Sequence, residues 1–237
     1  MVRIWNEIKR MRMFILFVET KMKFVVNPFL FCFNICKQQI VNCMRTIVQK
    51  VNAVKKVYAQ LDKKIDDLQK ESGLHCPSGC GQCCKKADIE CTPVEFLPMA
   101  LDWLDEGVLW EKHDEIKQLN TPLCFVYRPS VTSFGGLCNN YPNRGLICRL
   151  FGYSARINKE GQKEIVTCKI LKEEQSSALD KIASNPKSMP VMTDFATKMS
   201  SIDLQLNTHM PINQAMLQAI ETVGAYYAYR TRRKRKK

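Results

Sequence analysis

The sequence contains little that would make it a membrane-spanning, disordered or collagen-like chain. No stretch of about 18 consecutive apolar residues occurs, which excludes a multi-span membrane protein. Only 10 glycines and 10 prolines are present among 237 residues, too few for a collagen-like or low-complexity chain. Hydrophobic residues make up 46% and charged residues 25%. The composition is therefore that of a globular protein, and the chain is long enough to bury a core.

Motifs of the common side-chain catalysts are missing as well. No nucleophilic triad, phosphate-binding loop or dinucleotide fingerprint occurs, and Gly135-Gly136 is only a dipeptide. The three histidines are scattered at His75, His113 and His209. The sequence leaves open whether the protein is an enzyme, but it does not indicate catalysis by side chains alone.

The formal net charge of +13 lies mainly at the two ends of the chain. Residues 230–237 contain seven basic residues, and residues 1–26 contain six basic and two acidic ones, so the rest is close to neutral. A basic tail can bind nucleic acid or an anionic membrane surface, yet no clear nucleic-acid motif accompanies it. We expect a solvated basic tail over 230–237. Contact of the termini with a membrane surface is not favoured, and a protein partner is unknown.

Residues 1–36 form an N-terminal extension of doubtful structure. Its two apolar runs, 13–18 and 24–33, are separated by charged residues and are too short for a membrane span or an ordinary signal peptide. The segment fits an amphipathic segment at a membrane interface, or an extension from a start codon placed upstream of Met22 or Met44. Without an export signal we expect a cytoplasmic protein, whose thiols stay reduced or bind metal.

A long amphipathic helix is predicted over 37–73. Apolar residues from position 40 to position 68 repeat in alternating steps of four and three, which is a heptad seam. Gly73 is a typical helix terminator. Valines beside the seam widen the apolar stripe, which favours packing against the protein's own core over a coiled-coil dimer.

The rest of the chain predicts a mainly α fold with a small β-hairpin. Thr92-Pro-x-Glu95 is a helix start and predicts a helix to about Asp105, followed by a short helix around 108–119. Residues 151–170 alternate across a turn and predict the hairpin. We expect a cysteine-cluster metal-binding domain over 74–170, in which irregular cysteine-rich loops gather around a metal site, and C-terminal helices over 171–229.

Cysteine is the residue type that the sequence has in excess, with 12 in the chain. Four of them lie within nine residues beside glycines, which let the backbone fold tightly enough for several sulfurs to bind one ion at about 2.3 Å. Four more flank the loop and hairpin region. Cys91 is interpreted as a ninth ligand or a bystander. The predicted metal ligands are Cys76, Cys80, Cys83, Cys84, Cys124, Cys138, Cys148 and Cys168.

The spacing of these cysteines leaves the metal open. Only Cys80 and Cys83 have the C-x₂-C spacing of a zinc knuckle. Cys76-x₃-Cys80-x₂-Cys83 matches the triplet of radical SAM enzymes, but the chain lacks the alternating strands and helices of their barrel. An ordinary iron–sulfur cluster is compatible with the sequence because its four thiolates can come from scattered positions. We therefore expect an Fe–S cluster or Zn²⁺.

The motif C-x₃-C-x₂-CC, followed by TPxE, a lone Cys, a Cys shortly before Tyr-x-x-Arg and then CR-x-F, resembles the YkgJ-like cysteine-cluster family. The resemblance covers roughly residues 74–170 and implies a zinc- or iron-chelating domain containing the eight predicted ligands. One departure is that Gly145 follows Arg144 where the family usually has Pro. Flagellin lysine N-methylase carries a similar cysteine cluster, which keeps an enzyme among the alternatives.

Two arginines are candidates for neutralising the site. Four thiolates on one zinc ion, or on a [4Fe–4S]²⁺ cluster, leave a net charge of about −2, which must be compensated when buried. We expect Arg149, next to Cys148, to do so. Arg144 either does the same or pairs with an acidic residue at the surface.

The sequence is compatible with three alternative functions. The first is a cytoplasmic metal-binding protein of unknown specific role, whose Zn²⁺ or Fe–S site holds the fold together and handles electrons if it is redox-active. The second is a metal- or cluster-dependent protein-modifying enzyme resembling flagellin lysine N-methylase. The third is an interaction protein, stapled by metal, that uses the heptad helix and the basic tail.

Overall fold

The computed structural model describes residues 46–129 and 135–234, with the backbone alone for residues 187 and 230–234. The N-terminal extension, the predicted helical residues 37–45 and the end of the basic tail lie outside the described residues. So do Cys32, Cys36 and Cys43, which were not among the predicted ligands.

The described part of the chain contains eight α-helices joined by short strands and loops. The strands are β1 (Glu90–Cys91), β2 (Tyr127–Pro129), β3 (Gly136–Cys138), β4 (Ser154–Ile157), β5 (Lys163–Val166) and β6 (Met210–Pro211). The helices are α1 (Ile47–Ser72), α2 (Leu97–Asp105), α3 (Leu109–Lys117), α4 (Leu146–Leu150), α5 (Lys169–Glu174), α6 (Ser176–Ser184), α7 (Met192–Ser200) and α8 (Ile212–Lys234). The predicted fold class, mainly α with a small β-hairpin and cysteine-bearing loops, is confirmed.

Helix α1 is the predicted amphipathic helix. It begins after Thr46, which forms a reciprocal capping box with Gln49, and it ends at Gly73 in the left-handed conformation. Its heptad seam is buried in the protein's own hydrophobic core, including Leu61 and Leu68. The predicted packing within the chain is confirmed, and the seam is not left free for a coiled-coil partner.

The helix predicted after Thr92 begins with an irregular turn. Residues Pro93–Phe96 form a 3₁₀ turn with a capping box between Thr92 and Glu95, and α2 continues from Leu97. Pro98 lies in the first turn of α2, where its missing N–H has no intrahelical acceptor to lose. The predicted end at Asp105 is confirmed.

Three two-stranded antiparallel sheets occur in the part of the chain that the structure describes. Strands β4 and β5 form the predicted hairpin, with Ser154 opposite Val166 and Ile157 opposite Lys163. Strands β2 and β3, which lie in the part of 74–170 that was expected to consist of irregular loops, also pair. Strand β1 pairs with β6, which brings the residues before α2 next to the start of α8.

The core lies between α1, α2 and α8. Helix α8 packs on α2, α3 and the 3₁₀ turn before α2, while α1 packs on the other side of α2 and on α7. Helix α8 extends five residues beyond the predicted end at 229. Among the helices that the structure describes, none is long and apolar enough to cross a membrane.

Candidate metal centre

The cysteine loop that follows α1 is anchored at its first end by side chains from the hairpin and from the residue after α5. The N–H of His75 donates to Oε1 of Gln175 at 2.8 Å, and Nε2 of Gln175 donates back to the His75 carbonyl. The N–H of Cys76 donates to the Tyr153 hydroxyl at 2.6 Å. These bonds hold His75 and Cys76 beside the residue that precedes β4 and the residue that follows α5.

The second part of the loop is held against β3 by two glycines. The N–H of Gly136 donates to the Gly79 carbonyl at 3.3 Å. Gly81 has a φ of 52°, and a Cβ at this position would lie 2.4 Å from the Gly136 carbonyl oxygen. Only glycine permits this backbone approach. The 3₁₀ turn Gln82–Lys85, which follows, carries Cys83 and Cys84 next to β3.

Five of the predicted ligands line one cavity of about 70 Å³. The Sγ atoms of Cys83 and Cys84 are 4.0 Å apart, close to the roughly 3.8 Å between two thiolates bound tetrahedrally to zinc at about 2.3 Å. Most of the other lining side chains are apolar, and Arg144 is the charged one. The cysteines around the cavity are Cys83, Cys84, Cys124, Cys138 and Cys148.

The other three predicted ligands lie together beside this cavity but do not line it. Burial raises the pKa of Cys76, and the neighbouring Cys80, Cys83 and Cys168 raise it further, which places Cys80 and Cys168 near Cys76. Cys168 precedes α5 and its Sγ accepts a hydrogen bond from the Leu171 N–H at 3.5 Å. The structure thus brings all eight predicted ligands into one region of the molecule.

Burial raises the pKa of four predicted ligands, Cys76, Cys124, Cys138 and Cys148, and so disfavours their thiolate forms. Burial raises the pKa of Cys124 to about 11 and that of Cys76 to about 12, and it also raises the pKa of Cys148. The hydrogen bond from Cys84 lowers the pKa of Cys83 to about 6, with help from Arg144. A metal ion would supply the positive charge that the other thiolates need and would release their protons.

The residues present fit a thiophilic metal in chemistry, although their sulfurs are not yet gathered on one point. Among the described residues, no three Cys, His, Asp or Glu side chains are grouped closely enough to hold one metal ion. Arg144, which lines the cavity, has a buried Nε with no hydrogen-bond partner. A buried donor of this kind is suited to interact with the negative charge of thiolates at the cavity.

Of the two arginines, only Arg149 differs from the sequence expectation; Arg144 lines the cavity and its Nη2 also lies 4.0 Å from Oδ1 of Asp62. Arg144, not Arg149, faces the cavity, and its guanidinium lies 3.7 Å over the Tyr141 ring. Arg149 donates to the Asp62 carboxylate and to the carbonyls of Pro142 and Arg144. Arg149 was expected to neutralise the site, but its donors are already used to hold α1 against the loop before α4.

Glu95 is a site residue that sequence analysis identified only as a helix cap. Its Oε1 accepts hydrogen bonds from the N–H and hydroxyl of Thr92 at 2.8 and 2.9 Å, and its Oε2 accepts one from the Leu146 N–H at 2.6 Å. Because Leu146 begins α4, this carboxylate ties the helix that carries Cys148 to the turn that follows Cys91. The only sequence signal for Glu95 is the capping-box spacing, which does not predict the hydrogen bond from Leu146.

Two other candidate positions do not line the cavity. Cys91, which was left as a ninth ligand or a bystander, is 1% exposed within the hydrophobic core, where burial and the neighbouring Glu95, Cys148 and Cys124 raise its pKa. His113 lies between Asp114 and Glu221, so it joins α3 to α8 rather than to the cysteines.

The comparison with protein families agrees with this geometry. A family model described as "CxxCxxCC: Putative zinc- or iron-chelating domain" matches residues 75–176, a segment that includes all eight predicted ligands. This description is consistent with Zn²⁺ or an Fe–S cluster as the bound group. No curated protein and no solved structure matches the chain.

Proposed function

We propose that the protein binds Zn²⁺ or an Fe–S cluster through the cysteines of residues 75–176. This segment matches the zinc- or iron-chelating cysteine-cluster family. The observation that carries the proposal is the cavity lined by five cysteines together with Arg144. Bound zinc would supply structural cross-linking, whereas a bound Fe–S cluster would also accept and donate electrons.

The chain's own residues prepare the region for a metal ion. The nine cysteines that the structure describes are all free thiols rather than disulfides. The glycines of the loop bring its backbone against β3, the bonds of His75 and Cys76 hold its first end, and Glu95 holds α4. Arg144 offers an unsatisfied donor for the negative charge of thiolates.

The direct test is the metal content of protein purified without oxygen. Iron with an equal amount of sulfide and a brown visible absorption band would support an Fe–S cluster and a redox role. Zinc in a colourless protein would support a structural site. Protein that contains neither group, and that takes up neither after reconstitution, would contradict the proposal.

Two cysteine variants provide a matched comparison. Cys124 and Cys91 are both buried, but only Cys124 lines the cavity. We expect Cys124→Ser to lower the metal content per chain and Cys91→Ser to leave it unchanged. Equal metal content in the two variants would show that the cavity does not bind the metal.

No observation favours the two alternative functions. The interaction protein would use the heptad helix, but that face of α1 is buried in the protein's own core. For the protein-modifying enzyme, the described residues offer no contact that distinguishes a substrate site from the metal site.

A further inference from the structure

We propose that a metal ion reaches the cavity through an adjacent pocket, and that Asp88 and Glu90 in the wall of this pocket attract the ion. The inference rests on the proposed function, because it assigns the route by which Zn²⁺ or Fe²⁺ arrives at the thiols of that site. The two carboxylates steer the free ion and are not ligands of the bound metal.

The adjacent pocket, of about 220 Å³, shares part of its wall with the smaller cavity. Cys83, Cys84 and Cys148 line both spaces, and so does Ile89. The three cysteines are partly exposed. An ion that enters the adjacent pocket is therefore next to three of the five thiols of the cavity, and each thiol that binds it releases a proton to the solvent.

The charged side chains of the adjacent pocket favour a cation. Asp88 and Glu90 are exposed and line the pocket together with one basic residue, Lys86. None of these three forms an ion pair with any residue that the structure describes. By contrast, Arg144 lines the cavity but not the adjacent pocket. A cation is therefore attracted on the side of the adjacent pocket and repelled where Arg144 lies.

The carboxylates are suited to the approach of the ion rather than to its retention. A metal ion bound by four thiolates forms a site with a net charge of about −2. Carboxylates near such a site would repel it, because like charges at short range disfavour each other. The free cation is thus the species that Asp88 and Glu90 stabilise.

The walls of the adjacent pocket are held in place by the fold. Strand β1 pairs with β6, and the N–H of Ile212 donates to the Ile89 carbonyl at 3.0 Å, which fixes the segment that carries the two carboxylates. Ile147 of α4 and Phe151, just after this helix, form another part of the wall. Glu95 links the two parts through its hydrogen bond from the first residue of α4. The charged groups are therefore positioned beside the thiols before any ion arrives.

Rates of metal uptake test the route. The full chain, free of metal and oxygen, is mixed with Zn²⁺ or with Fe²⁺ by stopped flow at low ionic strength, and binding is followed by the ultraviolet absorption of metal thiolates. We expect the double variant Asp88→Asn/Glu90→Gln to take up metal about tenfold more slowly than wild type, and Lys86→Gln to take it up faster. Both effects should shrink as salt is added, because salt screens exposed charges. The metal bound at saturation should equal that of wild type.

Asp66→Asn/Asp67→Asn is the matched control. It removes the same charge from two exposed residues of α1 that line neither space, and its uptake rate should stay close to that of wild type. Equal slowing in the two double variants would mean that only the net charge of the chain matters, and it would overturn the inference. A lower metal content at saturation in Asp88→Asn/Glu90→Gln would also overturn it, because the carboxylates would then be ligands.

The same measurements separate failure of this inference from failure of the proposed function. If the wild-type chain takes up neither ion, the proposed function is wrong. If it takes up either ion, and the variants of the adjacent pocket do so at the wild-type rate, the function stands and the entry route is wrong.

Discussion

Arg149 and Arg144 lie five residues apart and have different roles, one in holding the fold together and the other at the cavity. The guanidinium of Arg149 lies 4.1 Å over the Tyr58 ring and donates to Asp62 of the same helix, so it joins α1 to the loop that precedes α4. Arg144 lies over Tyr141 at the cavity and keeps one buried donor unsatisfied. Arg149 therefore serves stability, and Arg144 is the residue suited to contact an anionic site.

Arg149→Ala should destabilise the protein. The substitution removes three charge-assisted hydrogen bonds and a cation–π contact, but Asp62 is partly exposed and can be rehydrated. We expect the free energy of unfolding to fall by about 2–3 kcal/mol, measured by urea denaturation of metal-loaded protein. Arg156→Ala is the control, because its pair with Glu164 is exposed on the hairpin. Equal unfolding free energies for Arg149→Ala and wild type would contradict the assigned role.

The buried carboxyl group of Glu95 predicts a pH dependence. Burial raises the pKa of Glu95 above its ordinary 4.5, although the bonds from Thr92 and Leu146 oppose the shift. A carboxyl group with a raised folded-state pKa contributes stability that is full below the unfolded pKa and is lost as the pH rises through the folded pKa. The free energy of unfolding of wild type minus that of Glu95→Gln should therefore fall as the pH rises above about 4.5, by about 1.4 kcal/mol per unit of pKa shift.

Glu164→Gln is the control for this measurement, which uses urea denaturation at a series of pH values. The exposed Arg156 lowers the pKa of Glu164, so its contribution is present above the unfolded pKa and is lost only as the pH falls. Its difference from wild type should stay constant above about pH 4.5. A Glu95→Gln difference that is equally constant would show that Glu95 does not titrate as proposed.

At the level of secondary-structure elements, the sequence predicted helix boundaries that are set by interactions between neighbouring residues. The capping box at Thr92 and the terminator Gly73 are short-range signals, and each lies at a helix boundary in the structure. The capping box at Thr46 was not recognised, and α1 begins at Ile47 rather than at the predicted residue 37. The β2–β3 pair and α4 were missed because they are three to five residues long and carry no repeated apolar pattern. The β1–β6 pair joins distant parts of the chain, so no local pattern could reveal it.

The approach of the cysteine loop to β3 can be tested with two glycine substitutions. Gly81→Ala would place a Cβ 2.4 Å from the backbone of Gly136, whereas Gly79→Ala, also left-handed with a φ of 68°, would meet nothing within 4 Å. Both variants carry a backbone strain of about 1–2 kcal/mol, but only Gly81→Ala also displaces the turn from β3. We expect Gly81→Ala to lose at least half of its bound metal and Gly79→Ala to retain most of it.

Metal per chain, measured by elemental analysis of the two purified variants, is the readout for this comparison. Similar metal content in both would mean that strain in the loop, rather than its contact with β3, is what the site requires. Circular dichroism of each variant checks that the helices are retained.

Across the whole molecule, the sequence predicted candidate metal ligands but not how their side chains are arranged. The spacing from Cys76 to Cys84 and the resemblance identified eight candidates, and the structure places all of them in one region. Which thiols share a wall depends on how β3, α4 and the hairpin pack, and these are contacts between distant segments. The bond from Leu146 to Glu95 depends on the same packing, which explains why Glu95 was recognised only as a cap.

The helical core and the cysteine loops should respond differently when metal is removed. Side chains such as Leu61, Leu97 and Ile220 fill the space between α1, α2 and α8 and are fully buried without help from the cysteines. The loops at 76–91 and around β2 and β3 contain only short strands. The free energy of metal binding would therefore stabilise these loops directly. After chelation we expect faster amide hydrogen exchange in these loops, measured by mass spectrometry, with little change in α1 and α8. Equal acceleration throughout the chain would show that the metal holds the entire fold, and no acceleration in the loops would show that it does not stabilise them.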